Sequence, residues 1–181
     1  MKKLLYVFGI LSDADIDWLL AVGQLQEFQS TEYLIRTGEF PDSLILLIDG
    51  RCDIVVDARS RIVINHCGGG ELLGELSFID DLPASASVIA TERSRALCID
   101  REILNQRLAT ERDFAARFYH SIAYLMADRV RANMQRESQA AGGIKNVAGT
   151  PDQGEMSLSQ MDNSSMAARR YEHLLSRLQV Y

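Results

Sequence analysis

Residues 25–99 alternate between short apolar runs and residues that favour turns. Each run is five to seven residues long, which suits strands and is too short for an ordinary helix. The runs cover residues 32–36, 44–49, 52–56, 61–67, 85–91 and 95–99, and the turn residues between them include Gly38, Pro41, Asp42, Gly50 and the glycines at 68–70. Many short strands at this spacing predict an antiparallel sandwich or barrel.

Helical periodicity flanks this region on both sides. Residues 12–22 predict a short helix that Ser12 can cap, because its side chain can accept the free N–H groups of the first turn. Asp100 can cap a second short helix at 101–108 in the same way. A long helix is then predicted for residues 111–136.

The predicted long helix carries two apolar stripes. The first stripe contains Phe114, Phe118, Ile122 and Leu125, and the second contains Tyr119, Met126, Val130 and Met134. Together they form a face wider than one packing contact needs. Either one stripe packs on the strands and the other is incidental, or the second stripe meets a partner helix. We favour the second interpretation and expect a homodimer through residues 111–136.

The chain divides into one domain at residues 1–137, a linker and a tail. Residues 138–165 contain four Gly, five Ser and three Gln, the composition of a flexible linker. Residues 166–181 regain a helical pattern and place Tyr171, Leu174, Leu175, Leu178 and Tyr181 on one face. Because so short a helix is marginal alone in water, it is expected to dock. Its own domain, an unidentified protein partner and a membrane surface all remain open.

Composition excludes several classes of protein. Hydrophobic residues make up 47% and charged residues 24% of the 181, as in a globular chain, and no apolar run reaches the ~18 residues of a membrane span. Residues 1–111 carry ten Lys or Arg against eighteen Asp or Glu, and such an acidic body argues against direct nucleic-acid binding. We also find no second helix pair with basic residues that would suit a DNA groove.

Neither catalysis nor metal binding is expected. The three histidines, His66, His120 and His173, are scattered over three different predicted elements, and no nucleophile, zinc or P-loop motif occurs. The three cysteines, Cys52, Cys67 and Cys98, are odd in number and lack CxxC spacing. They are interpreted as reduced thiols of a cytoplasmic protein.

The most informative stretch is GELSFIDDLPASASVIA, residues 74–90. Gly74 permits a backbone geometry closed to other residues, and a helical turn after it would offer free N–H groups to an anion. Glu75 repels an anion but suits the hydroxyl groups of a sugar. Glycine, N–H groups and carboxylate together indicate a pocket for a sugar phosphate.

Residues 9–137 resemble the cyclic nucleotide-binding domain, the family that includes the effector domains of catabolite-activator-type regulators and the regulatory subunits of cyclic-AMP-dependent kinase. Three stretches match in order: LIRTGEFPDSLILLIDGRCDIVV at 34–56, the segment from Gly74 to Pro83, and ASASVIATERSRALCIDREIL at 84–104. The resemblance implies a mainly β fold with flanking α-helices. That fold is an eight-stranded jelly roll with a helix before it and a long C-terminal helix after it.

The resemblance also implies roles for residues of the pocket. Glu75 would bind the ribose 2′-hydroxyl of a cyclic nucleotide such as cAMP or cGMP. Backbone N–H groups around residues 76–77 and 85–86 would bind the cyclic phosphate. The implied ligand-binding residues are Gly74, Glu75, Leu76, Ser77, Ala84, Ser85, Ala86 and Ser87. No tightly bound cofactor is expected.

The chain departs from the family at one position. The family's phosphate-neutralising Arg belongs at position 84, where this chain has Ala84. Such a charge-assisted pair contributes about 1.5–3 kcal/mol, so its loss predicts roughly ten- to hundred-fold weaker binding. We hypothesise that Arg129, of its own chain or of a partner's, supplies the missing cation. Alternatively, Arg129 is solvated or paired with a neighbour of Asp128.

Two functions remain open from the sequence. The first is a non-catalytic regulatory module that senses a cyclic nucleotide or related sugar phosphate and signals through its C-terminal helices. The second is a degenerate, ligand-free domain of the same fold that acts as an interaction or dimerisation module. Gly74, Glu75 and Ser85 favour the first, and Ala84 favours the second.

Overall fold

The computed structural model describes residues 4–56, 62–140 and 158–178. The strands in these ranges are β1 (Gln24–Phe28), β2 (Tyr33–Ile35), β3 (Ser43–Asp49), β4 (Arg51–Val55), β5 (Val63–Gly68), β6 (Glu71–Leu73), β7 (Ser87–Ala90) and β8 (Ser94–Asp100). The helices are α1 (Leu4–Ile10), α2 (Asp13–Val22), α3 (Glu75–Asp80), α4 (Arg101–Thr110), α5 (Arg112–Ala140) and α6 (Leu158–Arg177). The predicted helices at 12–22, 101–108 and 111–136 correspond to α2, α4 and α5.

The strands form two antiparallel four-stranded sheets. The first sheet has the order β1-β8-β3-β6 and the second β2-β7-β4-β5. A core of apolar side chains from both sheets fills the space between them. The predicted mainly β fold with flanking helices is therefore confirmed.

Strand β3 reads as a nearly continuous apolar run because both of its faces are covered. Leu44, Leu46 and Ile48 belong to the core between the first sheet and the helices. Ile45 and Leu47 belong to the core between the two sheets. Because successive side chains of a strand point to opposite faces, β3 contributes to two separate hydrophobic cores.

The two apolar stripes of α5 have different environments. The first stripe is buried, since Phe114, Phe118, Ile122 and Leu125 are at most 3% exposed. The second stripe remains largely open, with Val130 at 57% and Met134 at 64% exposed. The sequence predicted which stripe packs on the domain, and the predicted homodimer through the second stripe stays a prediction.

A buried ion pair fastens α5 to the helices around it. The Asp15 carboxylate accepts hydrogen bonds from Arg117 Nε at 2.7 Å and from Arg107 Nη2 at 3.2 Å. Burial disfavours the charge of Asp15, but hydrogen bonds from Arg117 and Ser12 outweigh it and lower its pKa to about 2. The Arg107 guanidinium also lies 3.9 Å from the ring centre of Phe114. Helices α2, α4 and α5 are thereby joined at one point.

The tail helix docks on its own domain. Tyr171 and Leu174 are buried in the helical core, and the Tyr171 hydroxyl donates to the Ile48 carbonyl at 3.3 Å. Arg170 donates to the Phe8 carbonyl at the end of α1 (2.8 Å) and to Asp13 (2.5 Å). The first of the three docking alternatives is therefore the one observed in the described chain.

Helices α5 and α6 both extend into the range predicted as linker, and the division into domain, linker and tail stays a prediction. Helix α5 continues to Ala140 and α6 begins at Leu158, eight residues before the predicted start. Starting a helix is costly because three residues are ordered for one hydrogen bond, whereas extending it orders only one residue for each new bond. A docked helix can therefore be lengthened even by residues that favour helices weakly, such as serine. Residues 141–157 and Tyr181 lie outside the described residues.

Candidate functional site

A cavity of about 450 Å³ opens between the second sheet, α3 and α5. The lining residues are Ile35, Ile54, Ile64, Asn65, Leu73, Gly74, Glu75, Leu76, Ser77, Ala84, Ser85, Ala86, Val88, Arg129 and Asn133. Eight of the nine ligand-binding residues proposed from the sequence lie in this wall, including Arg129. The ninth, Ser87, lies outside it.

Gly74 shapes the floor of the cavity. Its φ of +83° lies in the left-handed region, which side chains rarely adopt. A Cβ atom at this position would also lie 3.3 Å from the Ser43 carbonyl oxygen and 3.5 Å from Ile35 Cδ1. The backbone geometry therefore favours glycine where β6 turns into α3, and the space for a side chain is tight.

Helix α3 begins at the cavity wall. The Phe78 N–H donates to the Gly74 carbonyl at 3.1 Å, which closes the first helical turn. The N–H groups of Glu75, Leu76 and Ser77 consequently have no acceptor within the helix. All three residues line the cavity, so the donors of this turn lie beside the space that a ligand would occupy.

Glu75 and Arg129 form a partly buried ion pair in the wall. Glu75 is 4% exposed, and its Oε1 accepts a hydrogen bond from Arg129 Nη1. The second terminal nitrogen of Arg129 donates to the Leu72 carbonyl at 2.9 Å. The guanidinium thus joins α5 to both α3 and β6. Among the described lining residues, Glu75 is the only anion and Arg129 the only cation.

Ala84 occupies the position at which the resemblance implies an Arg, and its backbone holds a neighbouring turn. The Ala84 N–H donates to the Glu39 carbonyl at 2.9 Å, and its carbonyl accepts from the Gly38 N–H at 2.8 Å. The methyl side chain is 7% exposed and brings no charge to the cavity. The cation on the described wall is the Arg129 guanidinium, which is already bonded to Glu75.

Ser87 does not line the cavity and instead has a structural role. Its hydroxyl oxygen accepts a hydrogen bond from the Thr37 N–H at 3.0 Å and also lies 3.0 Å from the Thr37 hydroxyl. Ser87 is 2% exposed. Strand alternation explains the outcome, since neighbouring Ala86 and Val88 face the cavity.

Sequence reasoning missed two polar residues of the wall. Asn65 comes from β5, and Asn133 lies one helical turn after Arg129 on α5. The four-residue spacing of Arg129 and Asn133 places them on one face of the helix, so the hypothesis for Arg129 already implied Asn133. Nothing in the sequence around Asn65 distinguishes it from other polar strand residues.

Other kinds of site are not found in the described ranges. No group of three or more His, Cys, Asp or Glu side chains there is arranged to hold a metal ion. None of the described helices is both long and apolar enough to cross a membrane.

Comparison with known proteins finds similarity to one family. The family model of the cyclic nucleotide-binding domain matches residues 25–111. A cGMP-dependent protein kinase of Plasmodium berghei is 28% identical over 99 residues, 55% of this chain and 11% of the kinase. The potassium channel KAT3 of Oryza sativa is 33% identical over 98 residues, 53% of this chain and 19% of the channel. The chain therefore spans less than a fifth of either relative.

Solved structures support the same fold. A cyclic nucleotide-binding domain from Methylobacillus flagellatus matches with a TM-score of 0.65 and 21% identity, covering 80% of this chain and 86% of the other. The catabolite activator protein of Thermus thermophilus matches with a TM-score of 0.61 and 18% identity, covering 96% of this chain and 86% of the other. At these identities the likeness concerns the fold.

Proposed function

We propose that the chain is a regulatory module that senses a cyclic nucleotide or a related sugar phosphate in the cavity, and the match of residues 25–111 to the cyclic nucleotide-binding domain supports this proposal. The observation that carries the proposal is the bond between Arg129 and Glu75. It connects Glu75, which can bind a sugar hydroxyl, with α5, whose position could change when a ligand binds.

The cavity offers each part of such a ligand a partner of matching chemistry. The Glu75 carboxylate can accept a ribose hydroxyl, and the N–H groups at the start of α3 and at Ser85 and Ala86 can donate to a cyclic phosphate. The Arg129 guanidinium has five N–H donors and uses two of them on Glu75 and Leu72. It therefore keeps donors for a phosphate, which Ala84 cannot provide.

Binding would be communicated through α5. A ligand hydroxyl on Glu75 competes directly with Arg129 for the same carboxylate, so occupancy changes how the second half of α5 is held. Asn133 lies one turn further along and can bind the edge of a base with its amide. The ligand can shift α5 only by its difference in affinity for the two positions of the helix.

The output we propose is a homodimer through α5. The exposed second stripe, with Tyr119 at 48%, Val130 at 57% and Met134 at 64% exposure, offers an apolar surface next to the residues that line the cavity. A movement of Arg129 would alter the same part of the helix. The dimer would then differ between the ligand-free and the ligand-bound chain.

One observation favours a second candidate, a ligand-free interaction module. Ala84 removes the family's phosphate partner, and Glu75 and Arg129 already satisfy one another's charge. A cavity in this state needs no ligand for electrostatic balance. In that case α5 and the tail helix would carry the function by protein contacts alone.

Calorimetric titration distinguishes the two candidates. The full chain is titrated with cAMP, then with cGMP and a cyclic dinucleotide, beside Glu75→Gln and the matched surface variant Glu102→Gln. We expect saturable heat in the wild type and in Glu102→Gln. Glu75→Gln should bind at least roughly ten-fold more weakly, because a hydrogen bond to a charged group is lost.

Two results would overturn the sensor proposal. The first is no heat from any of the three ligands at millimolar concentration, which would leave the interaction module as the better account. The second is equal affinity in Glu75→Gln and the wild type, which would place any binding outside the cavity.

A further inference from the structure

Two cysteines face each other across neighbouring strands. Cys52 of β4 pairs directly with Cys67 of β5 in antiparallel register. Opposed residues of such a pair point to the same face of the sheet. Both side chains lie in the core between the two sheets, at 1% and 7% exposure, and the Cys67 thiol donates to the Cys52 carbonyl at 3.4 Å.

Directly opposed positions on antiparallel strands, such as those of Cys52 and Cys67, are suited to a disulfide. Directly opposed residues of antiparallel strands have Cα atoms about 4.5–5.5 Å apart, within the range of about 4.4–6.8 Å that disulfides join. Cys98, the third thiol, lies on β8 in the other sheet. Packed sheets are about 10 Å apart, so Cys98 is the poorer partner for either cysteine.

We infer that Cys52 and Cys67 are an oxidation site, at which hydrogen peroxide converts the two thiols reversibly into a disulfide. The Cys52 sulfur attacks one peroxide oxygen, the O–O bond breaks, and a sulfenic acid and one water form. The Cys67 sulfur then attacks the sulfenic sulfur, the S–O bond breaks, and the second water leaves. The two thiols lose two electrons and two protons in total, and one peroxide is reduced to two waters.

The surroundings favour Cys52 as the residue that reacts first. A hydrogen bond with the Cys67 thiol lowers the pKa of Cys52 despite its burial. Burial alone acts on Cys98 and raises its pKa to about 11. Strand β5 is at the edge of its sheet, so local opening of one strand gives a molecule as small as peroxide access to the pair.

The pair lies beside the cavity. The next opposed pair on the same face of the two strands is Ile54 and Asn65, and both of these residues line the cavity wall. A covalent bond between Cys52 and Cys67 would therefore constrain the strands that carry part of the wall. Formation of the disulfide does not depend on what the cavity binds.

Mass spectrometry of the full chain tests the site. Peroxide treatment should remove two hydrogen atoms from the intact mass, dithiothreitol should restore them, and proteolytic fragments should show a link between Cys52 and Cys67. The matched control Cys98→Ala should behave like the wild type, whereas Cys52→Ala and Cys67→Ala should not form the link. In Cys67→Ala, dimedone should trap the sulfenic acid on Cys52.

Several results would overturn the inference. One is an unchanged mass of the folded wild type under conditions that oxidise the same chain in urea. Another is a link that includes Cys98, or loss of the link in Cys98→Ala. Because the wild-type fragments alone identify the linked residues, the test does not depend on the folding of any variant.

Discussion

Helix α5 carries two arginines, twelve residues apart, and each binds a buried carboxylate of another helix. The two pairs have different surroundings. Arg117 binds Asp15, which is 0% exposed and enclosed by α2, α4 and α5. Arg129 binds Glu75, which borders a cavity of about 450 Å³. The Asp15 carboxylate is fully enclosed, although Arg117 is 36% exposed, and this pair holds the helix in place. The second has space beside it for a competitor, so similar chemistry can serve attachment at one end and sensing at the other.

The largest expected effect comes from breaking the Asp15 pair. Asp15→Asn removes the charge that two arginines share and should lower the free energy of unfolding by about 2–3 kcal/mol, because hydrogen bonds to a charged group are lost. Urea denaturation measures the change. The exposed Asp42→Asn serves as the control, and equal midpoints for the two variants would contradict the structural role of Asp15.

Acid should weaken the same pair without any mutation. The pKa of Asp15 is lowered from 3.8 to about 2, so its stabilisation is complete above pH 4 and is lost as the pH falls through about 2. The shift corresponds to roughly 2 kcal/mol. Thermal denaturation of the wild type between pH 5 and pH 2 should show this loss, and Asp15→Asn should show less of it. A parallel loss in both proteins would disprove the assignment to Asp15.

The smallest effect on stability is expected at the open pair. Arg129→Met should lower the free energy of unfolding by less than Asp15→Asn does, because the open cavity lets water reach the Glu75 carboxylate that loses its partner. The same substitution should abolish most of the binding of cAMP, whereas Arg131→Met, two residues along the helix, should not. Unchanged affinity in Arg129→Met would refute the role of Arg129 as the cation of the site.

Local signals in the sequence predicted the mainly β fold and the turn at Gly74, whereas the resemblance implied Ala84, Ser85, Ala86 and the part of α5 that holds Arg129. Three features could be predicted from neighbouring residues alone. They are the turn at Gly74, the apolar run of β3 and the first stripe of α5. Helix α1 escaped prediction because its sequence, LLYVFGI, is apolar on every side, which leaves no periodicity to detect. It is enclosed by other helices, with Phe8 at 0% exposure and Tyr6 against Tyr124 at 5.0 Å.

The remaining misses depend on contacts that are distant in sequence. Strand β1 has four exposed residues among its five, so only pairing with β8 defines it as a strand. The bond from Arg129 to Glu75 joins residues 54 positions apart. Neither local propensity nor periodicity contains that information, although the resemblance pointed to the correct part of α5.

Hydrogen–deuterium exchange along α5 tests the central claim most directly. The full chain is compared with and without cAMP at a concentration that calorimetry shows to be saturating. We predict altered exchange in residues 126–140, where Arg129 and Asn133 lie, and unchanged exchange in residues 112–122, which Asp15 holds. An α5 that exchanges identically with and without bound cAMP would contradict the account, because the cavity would then be occupied without any signal reaching the helix.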